Sequence, residues 1–143
     1  MITLYFAPKT RAFGALWLLE ELGVPYALKR LDLEKGEHKS VEMLRLNPLG
    51  KVPTLTDGET TISERAAIAT YLADRYAPGH LAPRLEDPKR GEYLRWMFYS
   101  VGVMEPYFLA KFKQIDMAPS QAPYGTFEET QTLLSGHLAR LSH

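Results

Sequence analysis

Strand-like and helix-like patterns alternate over the first 33 residues, and this alternation limits the fold more than any other feature. Residues 2–6 (ITLYF) are a short apolar run of strand formers. Residues 11–23 (RAFGALWLLEELG) place leucines on one helical face and end in glycine, a common helix stop. Residues 26–33 (YALKRLDL) alternate apolar and polar side chains, as half-buried strands do. The segment predicts a βαβ unit with parallel strands and a right-handed crossover.

A short helix and a hairpin are predicted next. Residues 40–46 favour a short helix that ends at the sequence Asn-Pro-Leu-Gly. Residues 52–56 and 60–62 are strand-like and flank Asp57-Gly58, a strong turn signal for a hairpin. The hairpin is antiparallel, so the predicted sheet is mixed.

A third helix is expected to close the first domain. Ser63 is predicted to cap this helix, which runs to about Tyr76 and takes its helix propensity from several alanines. The predicted order is therefore βαβαββα, an α/β domain over residues 1–77. Prolines mark residues 78–87 as a linker, and residues 88–143 are predicted to form an all-helical domain.

The second half of the chain favours helices. Asp87-Pro88 predicts the start of a long helix to about Ile115, with a kink near Glu105 caused by Pro106. After a loop that contains Pro119 and Pro123, the segment 126–129 (TFEE) matches a capping box. The stripe of Leu134, Leu138 and Leu141 then continues to the end without a stop signal, and two helices offer little partner surface for their apolar faces. The helical domain is therefore expected to be incomplete.

Composition excludes several function classes. Lys+Arg and Asp+Glu balance at 17 each, so neither nucleic acid nor membrane is an expected partner. No apolar run reaches the ~18 residues of a membrane span, and no signal peptide is visible, so a cytoplasmic location is expected. The absence of cysteine excludes disulfides and thiolate sites on the chain. Its histidines lack metal-ligand spacing, so no metal is expected; they are His38, His80, His137 and His143.

Three segments together resemble one family. They are residues 16–26 (LWLLEELGVPY), residues 47–55 (NPLGKVPTL) and residues 62–76 (ISERAAIATYLADRY). The chain is similar to cytosolic glutathione S-transferases of the bacterial type. The resemblance implies a thioredoxin-like N-terminal domain followed by an all-helical domain of five or more helices. Only two helices fit here, which agrees with the expected incompleteness.

The resemblance implies a binding site for glutathione. Pro53 matches the family's cis-proline, and the preceding Val52 is expected to pair through its backbone with the cysteinyl part of the tripeptide. Glu64 matches the position that holds the γ-glutamyl end. Arg65 stands where the family usually has serine, and either its guanidinium or its backbone N–H is expected to meet the γ-glutamyl carboxylate.

The resemblance also implies residues that bind the glycine end of glutathione and residues that activate its thiol. Lys39 and Lys51 are candidates for binding the glycine carboxylate. The activator of the thiol is expected to be Thr10, which corresponds to the serine of some classes, ahead of Tyr5, which corresponds to the tyrosine of others. Arg11 is a candidate for electrostatic help.

An apolar wall for the electrophile is expected from the long helix. Its candidates are Tyr99, Met104, Tyr107 and Phe108. An aromatic stripe on a helix also suits a core, and both interpretations remain open here.

The leading hypothesis is a homodimeric glutathione transferase that detoxifies small hydrophobic electrophiles, with glutathione as co-substrate. The alternative is a non-catalytic glutathione-binding or interaction module on the same fold. A glutaredoxin-like redox protein is set aside because the chain has no thiol.

Overall fold

Four strands form one mixed sheet in the computed structural model, which describes residues 1–115 and 125–140. They are β1 (Ile2–Phe6), β2 (Tyr26–Arg30), β3 (Thr54–Asp57) and β4 (Thr60–Ser63). Their order across the sheet is β2-β1-β3-β4. β1 pairs with β2 in parallel, and β1–β3 and β3–β4 are antiparallel. The predicted βαβ unit and hairpin are both confirmed.

Three helices accompany this sheet. They are α1 (Ala12–Leu22), α2 (Val41–Leu46), which follows a 3₁₀ turn at Glu37–Lys39, and α3 (Arg65–Tyr76). α1 ends at Gly23, whose left-handed backbone (φ 62°) lets its N–H bond to the carbonyl of Glu20. The observed order is βαβαββα, as the sequence predicts. This segment belongs to a compact unit, Met1–Tyr93, and a second unit covers Leu94–His143.

The central strand β1 is buried on both faces because successive side chains of a strand point in opposite directions. Ile2, Leu4 and Phe6 pack in the main core with buried side chains of α1 and α3. Tyr5 faces the other way and packs with Met43 of α2 in a second, smaller cluster. The sheet is therefore covered by α1 and α3 on one face and by α2 on the other.

Two strands are shorter than predicted. β2 ends at Arg30 instead of Leu33, because the carboxylate of Asp32 accepts two following backbone N–H groups and turns the chain out of the sheet. β3 begins at Thr54, so Val52 lies outside the β-ladder.

The prediction that Ser63 caps α3 is wrong. Ser63 is the last residue of β4 and pairs with Thr54, so it is held in the extended ladder. The N-cap is Glu64, whose backbone has φ 72° and ψ 124° and whose side chain makes no capping hydrogen bond. The chain therefore passes from strand to helix through one residue in a sparsely populated conformation.

The helix predicted over 88–115, with a kink near Glu105, is divided into three segments, and the break falls just before Glu105. The structure has α4 (Arg90–Tyr99), a π-helical turn at Ser100–Met104 and α5 (Glu105–Phe112). Pro106 explains the turn, since proline lacks an N–H and its ring clashes with the carbonyl four residues earlier. The N–H of Glu105 bonds to the carbonyl of Ser100, five residues back. The predicted start at Pro88 is two residues early.

The last described helix is α6 (Phe127–Ala139). Its capping box is confirmed: the Thr126 hydroxyl accepts from the Glu129 N–H, and the Glu129 carboxylate accepts from the Thr126 N–H. Leu134 is buried and Leu138 is 45% exposed. Leu141, Pro119 and Pro123 lie outside the described residues. Within the described part of the chain, no helix is long and apolar enough to cross a membrane.

A carboxylate at the end of β3 fastens α3 to the hairpin. The Asp57 side chain is 8% exposed and accepts hydrogen bonds from the hydroxyls of Tyr76 (2.5 Å) and Tyr71 (3.0 Å). Arg75 adds an ion pair, with its Nε 3.1 Å from the same carboxylate oxygen. The Tyr76 hydroxyl, followed by the Tyr71 hydroxyl and the Arg75 charge, holds the pKa of Asp57 below its ordinary value despite burial.

The variant Asp57→Asn should lower the free energy of unfolding by about 1–2 kcal/mol at pH 7, because the tyrosines lose a charged acceptor. A lowered folded-state pKa contributes stability that is complete above the ordinary pKa of about 3.9 and is lost as the pH falls through the folded-state value. The difference between wild type and variant should therefore shrink below about pH 4. Urea unfolding at pH 7 and pH 3 measures both effects. Glu59→Gln, an exposed carboxylate on the same hairpin, serves as control, and equal losses in both variants would contradict the role of Asp57.

Candidate functional site

Four chain segments meet at one edge of the sheet because of strand direction. The carboxyl ends of the parallel strands β1 and β2 lie at the same edge, and the antiparallel β3 begins there. β4 runs antiparallel to β3, so it also ends at this edge, where α3 starts. Segments that follow β1, β2 and β4, or precede β3, are therefore brought together although they lie far apart in sequence.

A pocket of about 550 Å³ lies among these segments. Its lining comes from the turn before α1, the segment after β2 and the loop before β3: Lys9, Thr10, Arg11, Leu33, His38, Gly50, Lys51 and Val52. Four residues that the sequence predicts for the site, Thr10, Arg11, Lys51 and Val52, thus line one pocket. We call it the edge pocket.

Thr10 closes the turn between β1 and α1. Its hydroxyl donates to the carbonyl of Ala7 (2.6 Å) and accepts from the N–H of Ala12 (3.2 Å). The single hydroxyl proton is therefore engaged with the backbone. To donate to another group in the edge pocket, the hydroxyl must rotate away from Ala7.

Tyr5 occupies a different environment from Thr10. Its side chain is 8% exposed and packs with Leu31 and Met43 in the smaller cluster. The ammonium of Lys29 lies 5.4 Å from the centre of its ring. Tyr5 is not among the residues that line the edge pocket.

Asn47 holds the loop that carries Lys51 and Val52. This side chain is 4% exposed, and its Nδ2 donates to the carbonyl of Lys51 and to the Thr54 hydroxyl (both 3.1 Å). Its Oδ1 accepts from the N–H of Leu49 (3.1 Å). The Thr54 hydroxyl in turn donates to the Lys51 carbonyl (2.9 Å). The loop is therefore fixed by buried and partly buried hydrogen bonds within the chain itself.

Gly50 brings this loop against the segment before α2. Its backbone is left-handed (φ 55°), and a Cβ there would lie 2.7 Å from the carbonyl oxygen of His38. The Lys39 ammonium donates to the carbonyl of Leu49 (2.7 Å), so it bonds the loop. Lys39 is absent from the lining of the edge pocket.

His38 lines the edge pocket, and its Nδ1 is buried without a hydrogen-bond partner among the described residues. The sequence interpretation misses both His38 and Asn47. The signal available for Asn47 is its place in an Asn-Pro turn, and His38 carries no sequence signal because its proximity to the pocket comes from the close approach of Gly50.

Glu64 and Arg65 lie at the start of α3. Glu64 is one of the described non-glycine residues with positive φ, a conformation that folds retain mainly where the surroundings require it. The Arg65 side chain runs beside α1, with its Cδ 3.6 Å from the position of a Cβ on Gly14. Neither residue is among those that line the edge pocket.

The four residues predicted for an apolar wall all lie in the second unit. Tyr107 is 5% exposed, and its hydroxyl bonds to Gln131 of α6 (3.3 Å), so it packs as a core residue of its unit. Phe108 stacks edge-on against Tyr107 but is 52% exposed. Tyr99 contacts the rings of Trp96 and His137. Met104 ends the π-helical turn and is partly exposed.

Comparison with known proteins identifies the family. Residues 1–74 match the family model described as glutathione S-transferase, N-terminal domain. The chain belongs to the glutathione S-transferase family. The thioredoxin-like domain expected from the resemblance is confirmed. The peptide bond between Val52 and Pro53 is cis, as the resemblance also implies.

Individual relatives cover different parts of the chain. Glutathione S-transferase theta-2 of Homo sapiens is 47% identical over 77 residues, 52% of this chain and 32% of that protein. Disulfide-bond oxidoreductase YfcG of Escherichia coli is 34% identical over 131 residues, 87% of this chain and 60% of that protein. The crystal structure of a glutathione transferase homologue from Lodderomyces elongisporus, with two glutathione molecules per subunit, superposes with a TM-score of 0.71 and 28% identity. The superposition covers 92% of this chain and 63% of the Lodderomyces chain. The chain thus spans between about a third and two thirds of these proteins.

The described part of the chain contains no cluster of side chains suited to binding a metal ion. No group of three or more histidine, aspartate or glutamate side chains there is placed to hold a metal ion. The edge pocket is lined by one hydroxyl, three cationic side chains and one imidazole. These groups surround the backbone of Val52, which lies outside the β-ladder.

Gly50→Ala should distort the edge pocket, because its Cβ would clash with a backbone oxygen that cannot move alone. Gly58→Ala is a matched control: it has the same left-handed backbone (φ 60°), but a Cβ there meets nothing within 4 Å. We expect Gly58→Ala to cost about 1 kcal/mol of stability and Gly50→Ala about 1–3 kcal/mol more. Urea unfolding measures the difference. Equal behaviour of the two variants would refute the packing of Gly50 against His38 as a determinant of the pocket.

Proposed function

We propose that the chain is the glutathione-binding part of a glutathione transferase, which presents the thiolate of glutathione to a small hydrophobic electrophile. The observation that carries the proposal is the edge pocket, in which Thr10, Lys51 and Val52 line one cavity in a chain of this family. Glutathione is the co-substrate, and no metal takes part. No comparison favours the non-catalytic alternative.

The tripeptide is proposed to lie along the loop before β3. The backbone of Val52, outside the β-ladder, pairs with the cysteinyl residue as an added strand would, next to Pro53. The glycine carboxylate binds near Lys51 and the imidazole of His38, which both line the edge pocket. Lys39 supports the loop through its bond to Leu49 and adds positive charge nearby.

The γ-glutamyl end is proposed to meet the start of α3. The carboxylate of Glu64 binds the α-ammonium, and the N–H groups of the first helical turn favour the α-carboxylate. Arg65 contributes either its guanidinium or its backbone N–H. The positive φ of Glu64 supports this role, because strained backbone tends to be retained at binding sites.

The sulfur is proposed to lie beside Thr10. A free thiol has a pKa of about 8.5, so a hydrogen bond donated by the Thr10 hydroxyl favours the thiolate at neutral pH. That donation replaces the present bond to Ala7, and the positive charge of Arg11 stabilises the same anion. The thiolate then attacks the electrophilic carbon; with an aryl halide, a carbon–sulfur bond forms and halide leaves.

Variants of Thr10 and Tyr5 decide which hydroxyl acts. Thr10→Val should lower kcat/KM with a general aryl halide about 10- to 100-fold, since one hydrogen bond to an anion is worth about 1.5–3 kcal/mol. Thr10→Ser keeps the hydroxyl and should retain activity, which controls for the turn that Thr10 closes. Tyr5→Phe should leave turnover nearly unchanged. A loss in Tyr5→Phe with full activity in Thr10→Val would reverse the assignment.

Glu64→Ala should reduce retention on immobilised glutathione at least about tenfold, because the α-ammonium would lose its charged partner. Glu59→Ala removes an exposed carboxylate from the neighbouring hairpin and should bind as the wild type does. Undiminished retention in Glu64→Ala would rule out the γ-glutamyl assignment.

A second candidate function is reduction of small disulfides by glutathione. The relative named disulfide-bond oxidoreductase favours it. The missing cysteine is no obstacle to this reaction, because the attacking thiolate belongs to glutathione: it forms a mixed disulfide and releases one thiol, and a second glutathione releases the other and leaves as oxidised glutathione. Assaying one preparation with an aryl halide and with 2-hydroxyethyl disulfide separates the two reactions.

The remaining expectations are proposals for the whole protein. It is proposed to act in the cytoplasm as a homodimer in detoxification, without nucleic acid or membrane as partner. Its domains are proposed as residues 1–77 and 88–143 with a linker at 78–87. Its proposed contacts with the electrophile are Tyr99, Met104, Tyr107 and Phe108.

A further inference from the structure

The charge of the edge pocket is one-sided. Lys9, Arg11 and Lys51 contribute cations, and His38 adds an imidazole. Among the described residues that line it, none is an aspartate or a glutamate. A lining of this kind attracts anions, and because the pocket is concave the attraction is stronger than on an open surface.

Lys9 is held at this pocket by a strained turn. Its backbone is left-handed (φ 57°), a conformation that is unfavourable for a residue with a Cβ and is usually occupied by glycine or asparagine. The bond from the Thr10 hydroxyl to the carbonyl of Ala7 closes the turn around it. Glycine or asparagine would adopt this backbone conformation with less strain than lysine does. The presence of a long cationic side chain at a strained position suggests a role for its charge.

None of the charged groups of glutathione is assigned to Lys9. This step rests on the proposed function, in which the glycine carboxylate binds near Lys51 and His38 and the γ-glutamyl group binds at Glu64. Lys9 and Arg11 are the direct neighbours of Thr10, the residue proposed beside the sulfur, and both line the same pocket. Their charges therefore lie near whatever group becomes bonded to the sulfur.

We propose that Lys9 makes this site select sulfur partners that carry a carboxylate. The partner is either an anionic electrophile or a second glutathione joined through a disulfide. Both present a carboxylate a few bonds from the sulfur, which is the shared chemistry that the Lys9 ammonium recognises. Lys9 is a specificity-determining residue here and is not required for forming the thiolate.

Equilibrium binding of three ligands to the full chain tests the proposal without relying on turnover. S-benzylglutathione has a neutral substituent, S-(4-carboxybenzyl)glutathione has the same ring with a carboxylate, and oxidised glutathione carries a second peptide. We expect the carboxybenzyl ligand to bind about threefold more tightly than the benzyl ligand at low salt, as befits a partly exposed charge pair. The preference should fade as ionic strength rises.

Variants of Lys9 give the matched comparison. Lys9→Gln should reduce the preference to near unity, and Lys9→Arg should keep it. Lys89→Gln, which removes an exposed lysine from outside the edge pocket, should leave it unchanged. A preference for oxidised glutathione alone, abolished by Lys9→Gln, would identify a second peptide as the partner.

Other outcomes overturn the proposal in distinguishable ways. Equal binding of the benzyl and carboxybenzyl ligands, with no gain for oxidised glutathione, would refute carboxylate selection while leaving glutathione binding intact. Equal weakening of all three ligands in Lys9→Gln would show that Lys9 holds glutathione itself. Failure of every ligand to bind the wild type would remove the proposed function and this inference with it.

Discussion

The parallel pairing of β1 with β2, enforced by the crossover through α1, is the constraint on which the site depends. It places the carboxyl ends of both strands at one edge of the sheet, and the antiparallel β3 then begins at that edge. Buried packing on both faces of β1 fixes this arrangement, with Leu4 and Tyr5 completely or nearly enclosed on opposite sides. The edge pocket is a consequence of strand direction: the turn after β1, the segment after β2 and the loop before β3 have no other place to meet.

Hydrogen-bonded turns fix the shape of the segments that strand direction brings together. Asn47 fixes the loop before β3 from beneath, and the Thr10 hydroxyl closes the turn before α1. Both devices hold backbone in shape before any ligand arrives, so little ordering is needed for binding. The same turn holds Lys9 in a strained conformation at the pocket, which links the local backbone geometry to the proposed choice of substrate.

Sequence patterns were most informative where a feature is local. Periodicity and stop signals located β1, α1 and the hairpin, and the capping box at Thr126 is present as predicted. Errors arose where pairing overrides local preference: Ser63 is a good capping residue, yet the ladder with Thr54 keeps it in β4. Pro106 makes the break in the long helix predictable from the sequence. Hydrophobic periodicity does not predict that the break takes the form of a π-helical turn.

Local sequence patterns are enough to predict the order of the elements and the resemblance to the family, because short motifs and hydrophobic periods report on neighbouring residues. The resemblance in turn implies Thr10, Lys51 and Val52 as candidate site residues. The three-dimensional fold alone shows that these three residues line one pocket with His38, that Tyr5 is packed beneath the sheet, and that Lys39 bonds a loop carbonyl. These facts depend on contacts between segments separated by tens of residues. Such contacts are set by sheet register and by the close approach at Gly50, which no local pattern encodes.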